Sequence, residues 1–444
     1  MVIQSFKAAL PAAMALILAG CGVLGGEDKP KQTPTIGNRT AILTNTESGA
    51  EVDPSISGLS VLLPAPVRNP NWAQPGGNAS KSVGHVALGD SLSEAWTAQV
   101  AGSSTRERLA SAPVSANGKV YVEDTEGQIH AFDLATGSRL WQSDLSIEGD
   151  GRQSVFGGGV TVDGNRVYAT TGFGEVAVLN ADNGEVLWRV KPAGPLRGSP
   201  TVAFNSVYVM TQDNQLYSLS ATDGSVQWSR QGTAGQAGVF GVAAPAAGQG
   251  TVIAGYSSGE LNAYRYENGR ELWSDALART RMSTSVATLS DIDADPIIDR
   301  GRVYALGEGG RMAAYELSIG QRIWEINIAG ISTPAIAGEW LFVMTDDARM
   351  LCVARSTGKV RWIAQLQKWR DEKDKKGAIS WIGPVLAGNR LIAASSEGEI
   401  AAISPSEGAI NILFDLKKPV TVPPIVVDNT LILLDDSGRV SAYR

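Results

Sequence analysis

Histidine and cysteine are almost missing from this chain: His85 and His130 are its two imidazoles, Cys21 and Cys352 its two thiols. That supply excludes a histidine-rich metal centre, a His-dependent catalytic triad and a disulfide framework. Both histidines read as plain surface or strand residues, and Cys352, within Met350-Leu351-Cys352-Val353, reads as a buried, inert strand thiol. Aromatic residues are sparse at 7%, and there is no excess of positive charge, the formal net charge being -7. A chain without a basic field is unsuited to nucleic acid or to a purely electrostatic membrane contact. What is abundant is glycine, 50 residues in 444, as in a protein built from many short strands and tight turns.

The N-terminus reads as an export signal, with Lys7 in the positive part, an apolar run from Ala8 to Ala19, and small residues leading to Cys21. The run is too short to span a bilayer. Leu18-Ala19-Gly20-Cys21 resembles the lipobox of bacterial lipoproteins, which implies cleavage before Cys21, acylation of that residue, and anchoring by two or more chains. An acylated Cys21 leaves Cys352 no partner for an internal disulfide. Gly22 in second place, where an Asp would favour inner-membrane retention, favours the outer membrane.

Beyond the signal the chain is a repeat. Gly followed four residues later by Trp recurs as Gly137 and Trp141, Gly184 and Trp188, Gly224 and Trp228, Gly269 and Trp273, Gly320 and Trp324, and Gly358 and Trp362. The steps between these tryptophans are 47, 40, 45, 51 and 38 residues, the range of four-stranded propeller blades. A small residue followed by Pro opens the units at Ala112-Pro113, Ser199-Pro200, Ala244-Pro245, Asp295-Pro296, Thr333-Pro334, Gly383-Pro384 and Pro423-Pro424, and Gly158-Gly159 stands in for the second. Eight units follow, an all-β, eight-bladed propeller of four-stranded antiparallel blades. The seventh has Ile412 at the Trp position, predicting an aliphatic outer wedge, and the eighth stops at Arg444 short of a fourth strand. Glu94-Ala95-Trp96 has no blade of its own and is expected to close the ring as that missing strand, removing exposed edges. Trp96, Trp141, Trp188, Trp228, Trp273, Trp324 and Trp362 are thus structural docking residues, wide flat wedges between sheets that splay outward. The expected organisation is a signal over 1–20, a lipidated Cys21 and tether over 21–90, and the propeller over 91–444. Early in the tether the composition is that of a flexible linker; Val61 to Pro64 and Asn71 to Asn78 carry apolar anchors that should pack along the propeller. The charged run Lys368 to Lys376 reads as a solvated loop between blades six and seven.

Motifs that carry chemistry elsewhere fail here. Gly255-Tyr256-Ser257-Ser258-Gly259 has the spacing of a hydrolase nucleophile elbow but sits in a hairpin turn, where that motif does not work. Asp291-Ile292-Asp293-Ala294-Asp295 opens like a calcium loop, yet Pro296 stands where Gly is needed and Arg302 where Glu is needed. Its carboxylates are left for a weak ion, a partner's cations or the loop's own amides.

The blade motif resembles the pyrroloquinoline-quinone-type propeller family, which contains dehydrogenases and also lipoproteins of the outer-membrane β-barrel assembly machine. Gly158 to Tyr168 and Leu289 to Pro296 look like those lipoproteins at the same blades, and the resemblance covers about 90 to 444; the stretch 22–89 is unlike their short linker. It implies a non-catalytic scaffold without a cofactor or metal. Its implied partners are the POTRA domains of the barrel subunit, the other subunits of the complex and unfolded outer-membrane protein clients. Contacts would come from loops on one side of blades three to five. Asp291 and Asp293 match the acidic loop of that surface. The family's Leu-Arg-Gly pattern is expected at Val239-Phe240-Gly241 entering blade four, where Phe240 would replace an ionic anchor by an aromatic one. Two other readings stay open: a quinone-dependent dehydrogenase, since Trp72 to Asn78 resembles the N-terminal segment of those enzymes, and a generic periplasmic propeller binding a sugar or peptide. Against the first, the adjacent-cysteine disulfide that those enzymes stack on the quinone cannot exist here.

Overall fold

The first repeat folds as Val114–Ala116, Lys119–Glu123, Gln128–Asp133 and Arg139–Asp144, hydrogen-bonded in that order and antiparallel throughout. In this computed structural model, which describes residues 50–105, 107–145, 157–233, 243–277 and 291–444, the pattern recurs in eight four-stranded sheets. The three inner strands are almost wholly buried, whereas outer strands such as Arg139–Asp144 bury one residue, the tryptophan, in an otherwise exposed run. Alternation along a pleated strand sends that residue toward the next sheet and its neighbours to solvent. The apolar core therefore lies between blades, as layers shared by successive sheets.

One contact repeats around the ring. At the turn after the third strand of blade one, Asp133 Oδ1 accepts from the Thr136 amide at 2.8 Å, and Gly137 adopts φ +71°. A side chain on Gly137 would stand 2.5 Å from the ring of Trp96, so glycine is required both by the backbone and by the indole lying on it. In the same way Trp141 lies on Gly184, Trp188 on Gly224, Trp228 on Gly269, Trp273 on Gly320, Trp324 on Gly358 and Trp362 on Gly408. The indole N–H usually donates to a carbonyl of the next blade, as Trp96 to Leu134 at 2.9 Å and Trp141 to Ala181 at 3.0 Å. Trp188 differs: the equivalent carbonyl, Ala221, is taken by Arg166 at 2.7 Å, and the Trp188 N–H has no partner among the described residues. The seventh blade also departs from the expectation of an aliphatic wedge. Ile412 is 44% exposed, and the joint to blade eight is made two residues further on by Phe414, stacked on Tyr443 at 4.5 Å.

Ring closure follows the sequence reading. Glu94–Gln99 pairs antiparallel with Arg439–Tyr443, Glu94 opposite Tyr443 and, after a bulge, Trp96 opposite Ala442 through to Gln99 opposite Arg439. Residues 50–90 belong with the ring in one compact unit, Ser48–Arg444. They form a strap that touches every blade. Asp53 N donates to Val360 of blade six, Asn69 O accepts from Asp428 of blade eight, and Trp72 pairs with Ser115 of blade one. Ala73 then meets Val162 of blade two, Gln74 brackets Val202 of blade three, Ala79 meets Ala247, Ser80 meets Ile298, and Val86 donates to Leu386 of blade seven. Apart from the bond to Val360, which starts the fourth strand of blade six, these bonds fall beside the turns that join first to second strands, so the strap crosses that end of the ring.

Both histidines are buried: His130 is a strand residue, as read, within Gln128–Asp133, whereas His85 is neither at the surface nor in a strand. His85 holds the strap, with Nδ1 2.8 Å from Pro64 O and Nε2 accepting from the Asn389 amide at 3.0 Å. His130 lies 2.7 Å from Asp124 Oδ2, in the turn joining its own strand to the one before. The charged run is not an irregular loop: Trp369–Asp371 and Lys376–Ala378 form a short, exposed hairpin. Cys352 is buried, and burial raises its thiol far above the ordinary range.

Candidate functional site

Opposite the strap, where fourth strands lead into the next blade and second strands turn into third, the loops gather charge around the ring axis. Leu196-Arg197-Gly198 enters blade three and is pinned by its backbone: Arg197 N donates to Met210 O at 2.8 Å, Gly158 N donates to Arg197 O at 3.2 Å, and Leu196 is fully buried. The guanidinium is left to point along the loop. Its Nη2 donates to Asp291 Oδ1 at 2.8 Å and to Asp293 Oδ1 at 3.2 Å.

The segment entering blade five alternates like a strand. Ile292 and Ala294 go into the core, Ile292 closing on Gly255 where any Cβ would collide, while Asp291, Asp293 and Asp295 turn the other way. Asp295 takes a separate set of partners: its Oδ1 accepts from the Ala244 amide at 2.7 Å, and its Oδ2 is 3.9 Å from Nζ of Lys81, supplied by the strap. Lys81 is 2% exposed; burial pulls its ammonium below the ordinary lysine range, with Asp295 opposing. Burial and the neighbouring Asp291 push the Asp293 carboxyl up to about 8 against the pull of Arg197. Glu308 is raised by burial and then by Asp346 and Asp291, and Asp346 is pushed up to about 6 by burial and by Asp347.

Lys81, Asp293, Asp295 and Glu308 border a central cavity of about 470 Å³. Trp72 and Lys81 of the strap lie at one end, Asp293 and Glu308 line it with the loop face, and Leu109, Ile382 and Val422 supply apolar wall.

The structure brings Asp291 and Asp293 together, but as buried side chains facing a cation of their own chain, 0% and 8% exposed. The Leu-Arg-Gly pattern expected at Val239-Phe240-Gly241 also occurs as Leu196-Arg197-Gly198, in the loop entering blade three. Val239, Phe240 and Cys21 lie outside the described residues. Arg197, Glu308 and Lys81 were missed as members of this site. The tripeptide was a sufficient signal for Arg197; nothing local marks the other two. Gly255 to Gly259 is a hairpin turn, as expected.

The donors do not suit a calcium-held quinone. Among the described residues no three His, Cys, Asp or Glu side chains converge as a metal ion requires, and Asp291, Asp293 and Asp295 are matched with Arg197 and Lys81.

Four-stranded blades, all but the seventh keyed by a tryptophan on the next blade's glycine, define an eight-bladed propeller of the pyrroloquinoline-quinone type. A solved quinohemoprotein alcohol dehydrogenase from Comamonas testosteroni shares the fold at a TM-score of 0.66, 14% identical and covering 85% of this chain and 81% of that one. The crystal structure of BamB from Moraxella catarrhalis has a TM-score of 0.63 at 18% identity, covering 80% of this chain and 97% of that one. At these identities both speak for the fold alone. The family described as "Outer membrane protein assembly factor BamB" matches residues 86–155 and 125–364. A relative of that name from Salmonella typhimurium is 31% identical over 339 residues, 74% of this chain and 83% of its own length. The chain belongs to the BamB family.

Proposed function

We propose that the protein is a non-catalytic scaffold of outer-membrane β-barrel protein assembly, anchored through acylated Cys21 to the periplasmic face of the outer membrane. On this reading residues 1–20 are a signal and residues from 21 a lipid-bearing tether leading into the strap. The loop face around Arg197 receives a POTRA domain of the barrel subunit, with other subunits and unfolded clients nearby. Support comes from membership of the BamB family, whose relatives carry the name of assembly factors. The observation that carries the site is the bond from Arg197 to Asp291 and Asp293, which fixes the loops entering blades three and five in one arrangement. A rigid, pre-ordered loop surface binds with less ordering cost than a mobile one. Arg197 and the two aspartates then act by holding the docking face, while Val239 and Phe240 offer it an apolar patch. The absence of adjacent cysteines and the mismatch with a calcium-held quinone favour this reading over a dehydrogenase.

The test is a mild-detergent pull-down of the tagged lipoprotein from its own envelope, with mass spectrometry of what accompanies it. Recovery of the barrel subunit from the wild type, and its loss on Arg197→Ala, is expected. Recovery of quinone or a soluble redox partner in its place would overturn the proposal.

A further inference from the structure

The cavity on the ring axis has features that a docking scaffold does not need. Trp72 and Lys81 of the strap, 6% and 2% exposed, line its far end, so the cavity is a cup walled in part by the strap. Its volume of about 470 Å³ is that of a small-molecule site, and its wall is mainly apolar with a few polar groups, the usual make-up of such sites.

Charge in the cup is unevenly matched. Lys81 is answered by Asp295. Arg108, also on the wall, acts on Asp436 of blade eight. On the side of blades five and six, Asp293 and Glu308 line the cup with Asp291 and Asp346 near them, and the four repel one another; Arg197 is the cation bonded to Asp291 and Asp293, and Asp346 accepts from the Ile331 amide. Glu308 Oε2 and Asp291 Oδ2 have no hydrogen-bond partner among the described residues, nor has the hydroxyl of Ser332, a cavity residue 5% exposed. Crowded carboxylates in a low-dielectric wall relieve their repulsion by taking up a proton or by taking up a cation. A bare metal ion would lack a converging ligand set here and would leave the apolar wall unfilled.

We propose that the cup binds a small organic cation, its amine or amidinium head against Glu308 and Asp293 and its slender apolar body between Trp72, Leu109, Ile382 and Val422. The head replaces the proton that Asp293 otherwise holds, and the body displaces water from the wall. The site shares Asp293 with the bond that holds the docking face of the preceding section, but neither proposal requires the other.

The experiment is calorimetric titration of the full lipidated protein in mild detergent, at pH 8, with benzamidine and with its uncharged isostere benzamide. Saturable binding of one benzamidine per chain is expected, with benzamide weaker by about tenfold or more, the difference a charge-assisted hydrogen bond makes. Glu308→Gln should lower benzamidine affinity by about tenfold and leave benzamide unchanged. Leu109→Trp, which fills the cup with an apolar group, should abolish both and serves if Glu308→Gln misfolds. Equal binding of the two probes, no binding of either, or benzamidine binding untouched by both variants overturns the proposal.

Discussion

Arg197 and Asp291 form a 2.8 Å ion pair between loops entering blades three and five, their side chains 4% and 0% exposed. Neither charge has water to fall back on, so the pair matters most when it is broken.

Arg197→Ala should therefore destabilise the protein by about 3–5 kcal/mol at pH 8, the usual cost of leaving a buried charge unmatched. Arg197→Lys should fall between, because a single ammonium does not reproduce the guanidinium fork. Urea unfolding followed by tryptophan fluorescence measures both. At pH 5 the loss from Arg197→Ala should shrink, since a protonated Asp293 needs no cation; a loss independent of pH would mean that the arginine acts by packing alone.

The wedges make a contrasting pair of predictions. Trp324, 8% exposed, lies on Gly358 and donates to Arg355 O at 2.9 Å; Trp324→Ala should cost about 3–5 kcal/mol. Ile412 occupies the same place in the repeat but is 44% exposed, and Ile412→Ala should stay within about 0.5 kcal/mol. Thermal unfolding of the two variants decides whether blade seven is keyed by Ile412 or by Phe414.

A third prediction concerns pH. Asp293 is raised from 3.8 to about 8 in the folded chain, so between those values the folded state holds a proton that the unfolded state has released. Its contribution is fully present below pH 4 and is lost as pH rises through 8; Asp346, raised to about 6, adds the same sign over the lower part of that window. Asp293 is faced by Asp291, Arg197, Glu308 and Asp346, all of which shape this titration. Stability should fall from pH 5 to pH 8, and Asp293→Asn should flatten the slope. An unchanged slope in that variant would assign the effect to Glu308 or Asp346.

The ring was legible because its signals are local. Gly137 and Trp141 are four residues apart, and each such turn announces itself by chemistry that does not depend on the rest of the chain. The closing strand was found by subtraction, since the eighth repeat lacked what Glu94 to Trp96 had to spare. The site was less legible because its partners are distant in sequence: Arg197 meets Asp291 94 residues away, and Lys81 meets Asp295 across the whole of four blades. Leu196-Arg197-Gly198 stands in the sequence, but nothing local to it marks Asp291 and Asp293 as its partners. Phe414 was hidden for a different reason: the repeat drew attention to Ile412, but packing against Tyr443 favours the larger side chain two residues on.

The pairing of Glu94–Gln99 with Arg439–Tyr443 also sets an order of events. The final blade is built from the two ends of the propeller, so its outer strand emerges early and waits for partners made last. Until then the nascent ring is an open arc with unsatisfied edges, and the loop that must close spans nearly the whole domain. A ring that locks only when Arg439–Tyr443 meets Glu94–Gln99 stays threadable until that last strand has been made.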